Sequence, residues 1–323
     1  MIVVLGGTGF VGAHTAMALA ARGHEVVATR RGTGPVPRVL APGVADGAVR
    51  IAQVELTDAA AVERLFAEER PDSVVDLSGH APKELDPATD VRERTAMLTA
   101  VLEGVRACGV PRLTVTSSTD VYWCLPPEEI PYTEDARVVL QESADNFLTQ
   151  AWAKKLLEIV SGMLARAYGT ELLTVRLGGV YGPGYGTYLS LISRLARAAV
   201  LGEEPDYARE RGGIPVAEAG YDLSYAADIA DGIATVHLAP HPARPVYNIG
   251  AGRAVTHGEV TRAVEEAVPG FTGRLRSRPD AVARRPNPWM STERIRTEFG
   301  WAPRHPLAEG VRAYVAHLCE ELR

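Results

Sequence analysis

The chain begins Met-Ile-Val-Val-Leu-Gly-Gly-Thr-Gly-Phe-Val-Gly over residues 1–12, a short apolar stretch followed by glycines at positions 6, 9 and 12. Residues 2–5 are apolar and mostly β-branched, which favours a buried parallel strand. Glycines after such a strand let the backbone approach a pyrophosphate closely, and the helix predicted for residues 13–22 points its positive N-terminal end at the same place. We therefore predict that Gly6, Gly9 and Gly12 form a nucleotide-binding turn.

Short apolar runs separated by longer amphipathic stretches make up the first half of the chain. The runs predict strands at residues 2–5, 26–28, 50–54, 73–77, 113–116 and 172–177, and the amphipathic stretches predict helices at 59–69, 90–107 and 145–168. Buried strands that alternate with helices in this way are typical of a doubly wound α/β fold with a parallel sheet. We predict that architecture, with residues 1–180 as a dinucleotide-binding domain.

The pattern changes after residue 180. Residues 181–186 read Tyr-Gly-Pro-Gly-Tyr-Gly, which indicates a cluster of turns. Further along the chain, helices are predicted at 189–201, 226–238, 257–268 and 307–321, a strand at 246–249, and a Pro- and Arg-rich loop at 274–288. We predict that residues 181–323 form mainly a smaller α/β cap that binds a substrate and returns some elements to the first domain.

Composition and charge exclude several classes of protein. The chain has 323 residues, a formal net charge of −6 and 46% hydrophobic residues, which is typical of a globular protein and unfavourable for binding nucleic acid. Cys108, Cys124 and Cys319 show no paired spacing, so neither a disulfide framework nor a metal site is indicated, and a reducing, cytoplasmic compartment is expected. The apolar opening is too short for a signal peptide or a membrane span.

Five blocks of sequence carry a family resemblance. They are Gly-Gly-Thr-Gly-Phe-Val-Gly (6–12), Val-Thr-Ser-Ser-Thr-Asp-Val-Tyr (115–122), Val-Arg-Leu-Gly-Gly-Val-Tyr-Gly-Pro-Gly (175–184), Val-Tyr-Asn-Ile-Gly (246–250) and Phe-Gly-Trp-Ala-Pro (299–303). In this order, over nearly the whole chain, they resemble the extended short-chain dehydrogenase/reductase family of the NAD-dependent epimerase/dehydratase type. The resemblance implies a Rossmann-type fold, a nicotinamide dinucleotide, a sugar-like or polyhydroxylated small-molecule substrate and a homodimer.

The resemblance also implies a catalytic set with one departure. In that family, a Ser or Thr at a strand end acts with a Tyr and a Lys spaced YxxxK on the following helix. The Tyr, with its pKa lowered by the Lys, takes the hydroxyl proton as a hydride leaves the carbinol carbon. The resemblance puts Ser118 at the Ser position and Lys154 at the Lys position, where it would also bind the nicotinamide ribose. The Tyr position falls on Gln150, which cannot ionise.

Three interpretations of Gln150 are open. In the first, an active enzyme uses another acid or base, with Asp120 as the candidate because it stands where the family's dehydratases carry a Glu. In the second, the reaction takes its proton from water or substrate, and Gln150 only orients the reacting oxygen through a hydrogen bond. In the third, the redox chemistry is lost and the protein binds a dinucleotide for regulation or assembly.

Residues at the end of the second strand bear on the cofactor. An Asp or Glu there binds the ribose 2′-hydroxyl of NAD, whereas Arg accommodates the 2′-phosphate of NADP. This chain has Arg30 and Arg31 and no acid, so NADP is predicted, with NAD as the alternative. The other residues that the resemblance places at the cofactor, besides the glycines and Lys154, are Phe10, Val11, Glu55, Leu56, Leu77 and Ser78.

Three polar positions that nucleotide-sugar enzymes of the family use are changed. Arg94 and Gly179 stand where the family carries Asn, and Tyr221 stands where it carries Arg. These changes disfavour a standard nucleotide sugar. We predict an epimerase, dehydratase or reductase-like enzyme with non-standard acid/base chemistry; the alternative is an NADP-binding regulatory or non-redox protein.

Overall fold

The computed structural model describes residues 1–79, 86–139, 148–208, 213–277 and 286–322, and of residues 87 and 148–150 it describes the backbone alone. Seven strands form the main sheet, and every pairing between neighbours is parallel. They are β1 (Ile2–Leu5), β2 (Val26–Arg30), β3 (Val49–Gln53), β4 (Ser73–Asp76), β5 (Arg112–Ser118), β6 (Glu171–Leu177) and β9 (Val246–Ile249).

The order of the strands places a crevice beside the glycine turn. Across the sheet the order is β3-β2-β1-β4-β5-β6-β9, so the chain moves outward from β1 to β3 and then crosses back to β4. Leu5, the last residue of β1, pairs with Asp76, the last residue of β4. Ligands of doubly wound sheets bind at the carboxyl ends of the strands where the order reverses. The ends of β1 and β4 are that point in this chain.

Helices cover both faces of the sheet. On one face lie α1 (Phe10–Ala20) and α7 (Ala226–Leu238), and on the other lie α3 (Ala59–Glu69), α4 (Pro87–Ala107) and α5 (Leu148–Tyr168). Along β1, Ile2 and Val4 pack into the first of these cores, whereas Val3 and Leu5 pack into the second. A strand buried on both faces needs apolar residues at every position, which is why the chain opens with a continuous apolar run.

Most of the remaining elements form a smaller unit beside the main sheet, the cap, and two short helices pack against the main sheet. A second sheet has the order β10-β8-β7, from β7 (Gly179–Tyr181), β8 (Gly220–Tyr225) and β10 (Ala254–Thr256). A third apolar core joins it to α6 (Leu191–Leu201), α8 (His257–Ala267) and α10 (Leu307–Glu321). The short helices are α2 (Ala41–Ala45) and α9 (Glu293–Phe299).

The predicted doubly wound α/β fold is confirmed, and the differences are local. Helix α1 begins at Phe10, three residues before the predicted start, because Gly9 already serves as its N-cap. Short elements such as β7, β10 and α2 escaped prediction because three to five residues carry little periodicity. Residues 145–147 of the predicted helix and 278–285 of the predicted loop lie outside the described residues.

Candidate active site

The glycine turn is packed too closely to hold side chains. Gly6 adopts a positive φ of 67°, and a Cβ there would lie 2.9 Å from the carbonyl oxygen of Leu77. A Cβ on Gly12 would overlap the carbonyl oxygen of Gly6. The amide of Gly9 donates to the same oxygen at 2.9 Å, which closes the turn. The three glycines therefore leave a bare backbone surface at the end of β1.

The N-terminus of α1 faces this surface. Its N-cap is Gly9, no described side chain caps it, and its first turn holds no acidic residue. The first amide groups of a helix have no partner within the helix, and they carry a partial positive charge. Phe10, Val11 and Gly12 form this first turn and line a cavity. The arrangement fits an anionic group such as a pyrophosphate.

Two adjoining cavities run across the carboxyl ends of the strands. One, of about 330 Å³, extends from the glycine turn over the ends of β2 and β3. The other, of about 780 Å³, extends from the same turn towards α5 and the cap. Both share Gly6, Gly9, Leu77, Ser78 and Gly79. Every residue predicted to bind the cofactor lines one or both: Gly6, Gly9, Phe10, Val11, Gly12, Arg30, Arg31, Glu55, Leu56, Leu77, Ser78 and Lys154.

Two arginines and a glutamate shape the end of the smaller cavity. Arg30 is half-buried and donates from Nη1 to the carbonyl oxygen of Gly34 at 2.6 Å, while its buried Nε has no partner among the described residues. Arg31 is exposed. Glu55 accepts from both the amide and the hydroxyl of Thr57. A buried guanidinium N–H without a partner is costly, and a ligand oxygen in this cavity can satisfy it.

These features together fit a nicotinamide dinucleotide. The bare glycine surface and the helix N-terminus suit the pyrophosphate, and the orphaned N–H of Arg30 suits a polar group at the far end of the smaller cavity. The larger cavity, next to Lys154 and the cap, would then receive the nicotinamide half.

Two neighbouring lysines of α5 point in different directions. Lys154 lines the larger cavity, and its Nζ donates to the carbonyl oxygen of Thr116 at 2.7 Å. Lys155 is fully buried, and its Nζ donates to the carbonyl oxygen of Val139 at 2.7 Å. Burial lowers the pKa of Lys154, although the carboxylates near it act in the opposite direction. Lys154 is thus the lysine placed to meet a ligand in the cleft.

The other predicted catalytic residues are less exposed to the cleft. The Ser118 hydroxyl accepts from the amide of Asp120 at 3.1 Å and so caps a short 3₁₀ turn at Thr119–Tyr122. Burial raises the pKa of Asp120. Neither residue is among the described residues that line the two cavities. The backbone of Gln150 lies in α5, one turn before Lys154, but its side chain lies outside the described part of the chain.

The cleft also contains residues that the sequence did not single out. At the end of β5 the wall is formed by Thr116 and Ser117, and the buried hydroxyl of Ser117 has no partner among the described residues. On the cap side, Tyr185 lines the cleft and its ring lies 5.0 Å from that of Phe10. Strand-end position was the signal available for Ser117 and for Asp76, because ligands meet parallel sheets there.

Two of the three changed polar positions, Gly179 and Tyr221, lie on the cap wall of the cleft. A Cβ on Gly179 would lie 2.7 Å from Cε2 of the Tyr221 ring, so the tyrosine covers the place of the missing side chain. Burial raises the pKa of Tyr221 to about 12, which keeps its hydroxyl neutral at ordinary pH. Arg94 lies on α4 and donates from Nε to both oxygens of Asp90 at 2.9 Å. The wall is therefore more aromatic than an Asn and Arg pair would make it.

Two other classes of site were searched for within the described ranges. No group of His, Cys, Asp or Glu there is arranged to hold a metal ion. Among the described helices, none combines the length and the apolar character that crossing a membrane requires.

Comparison with known proteins agrees with this geometry. The model of the NAD dependent epimerase/dehydratase family matches residues 2–250. The chain belongs to this family. A dTDP-4-dehydro-6-deoxy-D-allose reductase of a Streptomyces species is 28% identical over an alignment of 331 positions that covers 98% of this chain and 96% of the relative. The predicted family and the predicted enzyme class, with an epimerase, dehydratase or reductase type of reaction, are thereby confirmed.

Solved structures of the family have the same fold. The UDP-glucose 4-epimerase of Thermus thermophilus, solved with NAD, superposes with a TM-score of 0.75 at 26% identity and covers 98% of both chains. The UDP-glucose 4-epimerase of Thermotoga maritima, solved with UDP-glucose, superposes with a TM-score of 0.80 at 22% identity over 100% of this chain and 99% of its own. A relative in the family is thus solved with NAD, which is the alternative cofactor of the prediction.

Proposed function

We propose that this chain is an NADP-preferring enzyme of the family that oxidises or reduces a hydroxyl or carbonyl carbon of a sugar-like or polyhydroxylated small molecule. The observation that carries the proposal is the larger cavity, in which the bare glycine turn, Lys154 and the cap residues Tyr185 and Tyr221 share one cleft. Residues 1–180 supply the cofactor side of this cleft, and residues 181–323 supply most of the substrate side.

Different residues along the cleft bind the cofactor and exchange the proton. The glycine turn and the first turn of α1 hold the pyrophosphate, and Lys154 holds the nicotinamide ribose. When bound, the nicotinamide supplies or accepts the hydride. The chain's own groups must orient the reacting oxygen and exchange one proton with it for each hydride transferred. Ser117, Ser118, Asp120 and Lys154 are the groups near this end of the cleft, with Gln150 one helical turn before Lys154.

Support for NADP comes from the end of β2. Arg30 and Arg31 line the smaller cavity, and the carboxylate that would bind a free 2′-hydroxyl is absent from this strand end. An arginine guanidinium pairs well with a phosphate dianion, and the Nε of Arg30 is buried without a partner among the described residues. NAD, which the Thermus thermophilus relative carries, is the alternative cofactor.

Support for the substrate class comes from the cap wall. Aromatic rings such as Tyr185 and Tyr221 pack against the apolar faces of sugar rings, and the Thr187 and Ser190 hydroxyls on the same wall can bond to substrate hydroxyls. The Streptomyces relative reduces a dTDP-linked sugar. In this chain the wall at Gly179 and Tyr221 favours stacking over the charged contact that an Arg would make with a diphosphate.

A homodimer is proposed from one face of α5. Trp152, Ile159 and Met163 recur on one side of this helix with 46%, 51% and 61% of their surface exposed, and Val91 on the adjacent α4 is 49% exposed. An apolar stripe of this kind suits a second copy of the chain. Size-exclusion chromatography with light scattering tests it, since a monomer at micromolar concentration contradicts it. We place the dimer in the cytoplasm, where the unpaired cysteines are stable.

The deciding experiment has two steps. The purified protein is denatured and released nucleotides are identified by mass spectrometry, after which the stripped protein is titrated with NADP(H) and NAD(H). It is then assayed with a panel of free and nucleotide-linked keto sugars and polyols. Tighter binding of NADP(H) with turnover of at least one substrate is expected. Binding without turnover would instead assign the chain to the alternative, a dinucleotide-binding regulatory protein, and binding of neither cofactor would overturn both.

A further inference from the structure

Lys154 lies among buried carboxyl groups. Asp76, at the end of β4, is only 5% exposed, and Asp120 is half-buried on the turn after β5. Both carboxylates act electrostatically on the Lys154 ammonium, so all three groups share one low-dielectric region. Two other charged groups face the same ammonium, namely Arg94 on α4 and Glu158 on α5.

Several charged groups of this region have partners of their own. Arg94 is paired with Asp90, at 2.9 Å from both carboxylate oxygens, and Glu158 is paired with Arg176 at 2.7 Å. Lys155 acts on Asp120 as a second cation, so the Lys154 ammonium and the Asp76 carboxyl group remain as a buried pair. Burial disfavours the charged form of both groups, and a buried carboxyl group avoids this cost by holding a proton.

Asp76 is the carboxyl that holds this proton more readily. Asp120 has a second cation close by, Lys155. Both this cation and a hydrogen bond with the Ser118 side chain favour the ionised form of Asp120. Asp76 lies deeper, and burial raises its pKa despite the amide of Ser78, which donates to its Oδ1 at 2.8 Å.

A small cavity connects this carboxyl group to the lysine. It measures about 40 Å³, and its walls include Asp76, Ser78, Arg94 and Lys154. That volume holds at least one water molecule, and the lining offers such a water several polar partners. Lys154 also lines the main cleft. The lysine therefore stands between the small cavity and the place where a substrate would bind.

We propose that Lys154 is the catalytic residue that exchanges the proton with the substrate oxygen, in place of the absent tyrosine, and that Asp76 is a positioning residue that stores and resupplies this proton through the small cavity. The inference rests on the proposed function. In the direction of reduction, one proton leaves the Nζ of Lys154 for the oxygen as the cofactor delivers its hydride to the carbon. The neutral amine regains a proton from Asp76 through water, and the Asp76 carboxylate is reprotonated from solvent; oxidation runs the same path in reverse.

Asp76→Asn is the main test, and Asp46→Asn is its matched control. Asp46 is an exposed Asp whose Oδ1 accepts from the amide two residues on, as that of Asp76 does, and Asn preserves this bond at both sites. We expect Asp76→Asn to lower kcat about 10- to 100-fold with KM and cofactor affinity within two-fold, and to remove one ionisation from the pH profile of kcat. Asp46→Asn should match the wild type. Asp76→Glu, which keeps an acid beside the small cavity, should recover part of the rate.

Two further measurements separate the inference from the proposed function. Lys154→Arg keeps the charge but cannot release a proton, so cofactor binding should persist while turnover falls at least 100-fold. Infrared difference spectra between wild type and Asp76→Glu should show a protonated carboxyl band that belongs to residue 76 at neutral pH, whether or not a substrate is found. An ionised Asp76, or an Asp76→Asn variant with the wild-type pH profile, overturns the inference. A protonated Asp76 in a protein without turnover on any substrate would instead overturn the proposed function and, with it, the catalytic role of Lys154.

Discussion

Tyr221 covers Gly179, since a Cβ on Gly179 would lie 2.7 Å from Cε2 of the tyrosine ring. Both residues line the cleft. By the family resemblance, both stand at positions where nucleotide-sugar enzymes carry a polar side chain. The two departures are therefore one structural change, because the large ring occupies the space that the small residue leaves open. This pairing gives the cap wall an aromatic surface at this point of the cleft.

Replacing Gly179 with Ala should disturb this wall. The added methyl group meets the Tyr221 ring, so we expect a loss of about 1–3 kcal/mol of unfolding free energy, typical of overpacking, together with a raised KM. Gly162→Ala in α5 is the matched control, because a Cβ there meets nothing within 4 Å. Urea denaturation of both variants measures the effect. Gly162→Ala should itself gain up to about 1 kcal/mol because Ala favours a helix, so a Gly179→Ala variant as stable as the wild type would contradict the contact.

Removing the charge of Arg31 should act on one cofactor more than on the other. If this exposed guanidinium pairs with the 2′-phosphate, Arg31→Ala should weaken NADP(H) binding about 10-fold, or about 1.4 kcal/mol, and leave NAD(H) nearly unchanged. Isothermal titration with both nucleotides measures the ratio. Arg38→Ala, which removes an exposed arginine paired with Glu320, serves as the control. An equal loss of affinity for both nucleotides would mean that Arg31 does not bind the 2′-phosphate.

The two adjacent lysines should respond in opposite ways. Lys154→Met should abolish most turnover and leave a folded protein, because this side chain faces the cleft. Lys155→Met should retain the cleft but lose about 1–3 kcal/mol of stability, because the carbonyl oxygen of Val139 loses its buried donor. Activity assays and urea denaturation of both variants distinguish the roles. The reverse pattern would assign the catalytic position to Lys155.

The glycine turn at the end of β1 was predictable from sequence because its geometry is local. The spacing of Gly6, Gly9 and Gly12 specifies a strand, a turn and a helix that follow each other directly in the chain. Lys154 was separable from Lys155 for a similar reason. Residues four apart share one face of a helix, and Glu158, on the face of Lys154, is held by Arg176.

The remainder of the site depends on contacts between distant parts of the chain. Asp76 and Lys154 share a small cavity because β4 lies next to β5 in the sheet and α5 packs against β5. No pattern within one segment of the sequence predicts this arrangement. At the end of β5, Ser117 faces the cleft while Ser118 turns to cap the next amide. Two identical neighbours at a strand end cannot be distinguished by residue type, so the resemblance pointed to Ser118 and the wall residue Ser117 went unnoticed.

His237 should make the fold sensitive to mild acid. Its ring is buried at 1% exposure between the hydroxyls of Ser73 and Thr114, each 2.8 Å from a ring nitrogen. Burial lowers its pKa from 6.5 to about 3, so the unfolded chain binds a proton between these values while the folded chain does not. The stability that this group contributes is therefore complete above pH 6.5 and falls as the pH is lowered, by about 1.4 kcal/mol per pH unit at most.

A pair of histidine variants isolates this effect from that of other titrating groups. In His237→Asn the acid-dependent loss between pH 6.5 and pH 4 should be smaller than in wild type, although the variant is less stable at pH 7 because the buried ring is gone. His241→Asn, at an exposed position, should follow the wild-type curve. Urea denaturation at half-unit pH steps gives the three curves. Parallel curves for wild type and His237→Asn would show that the ring is protonated inside the folded protein, and that the two hydroxyls do not hold it neutral.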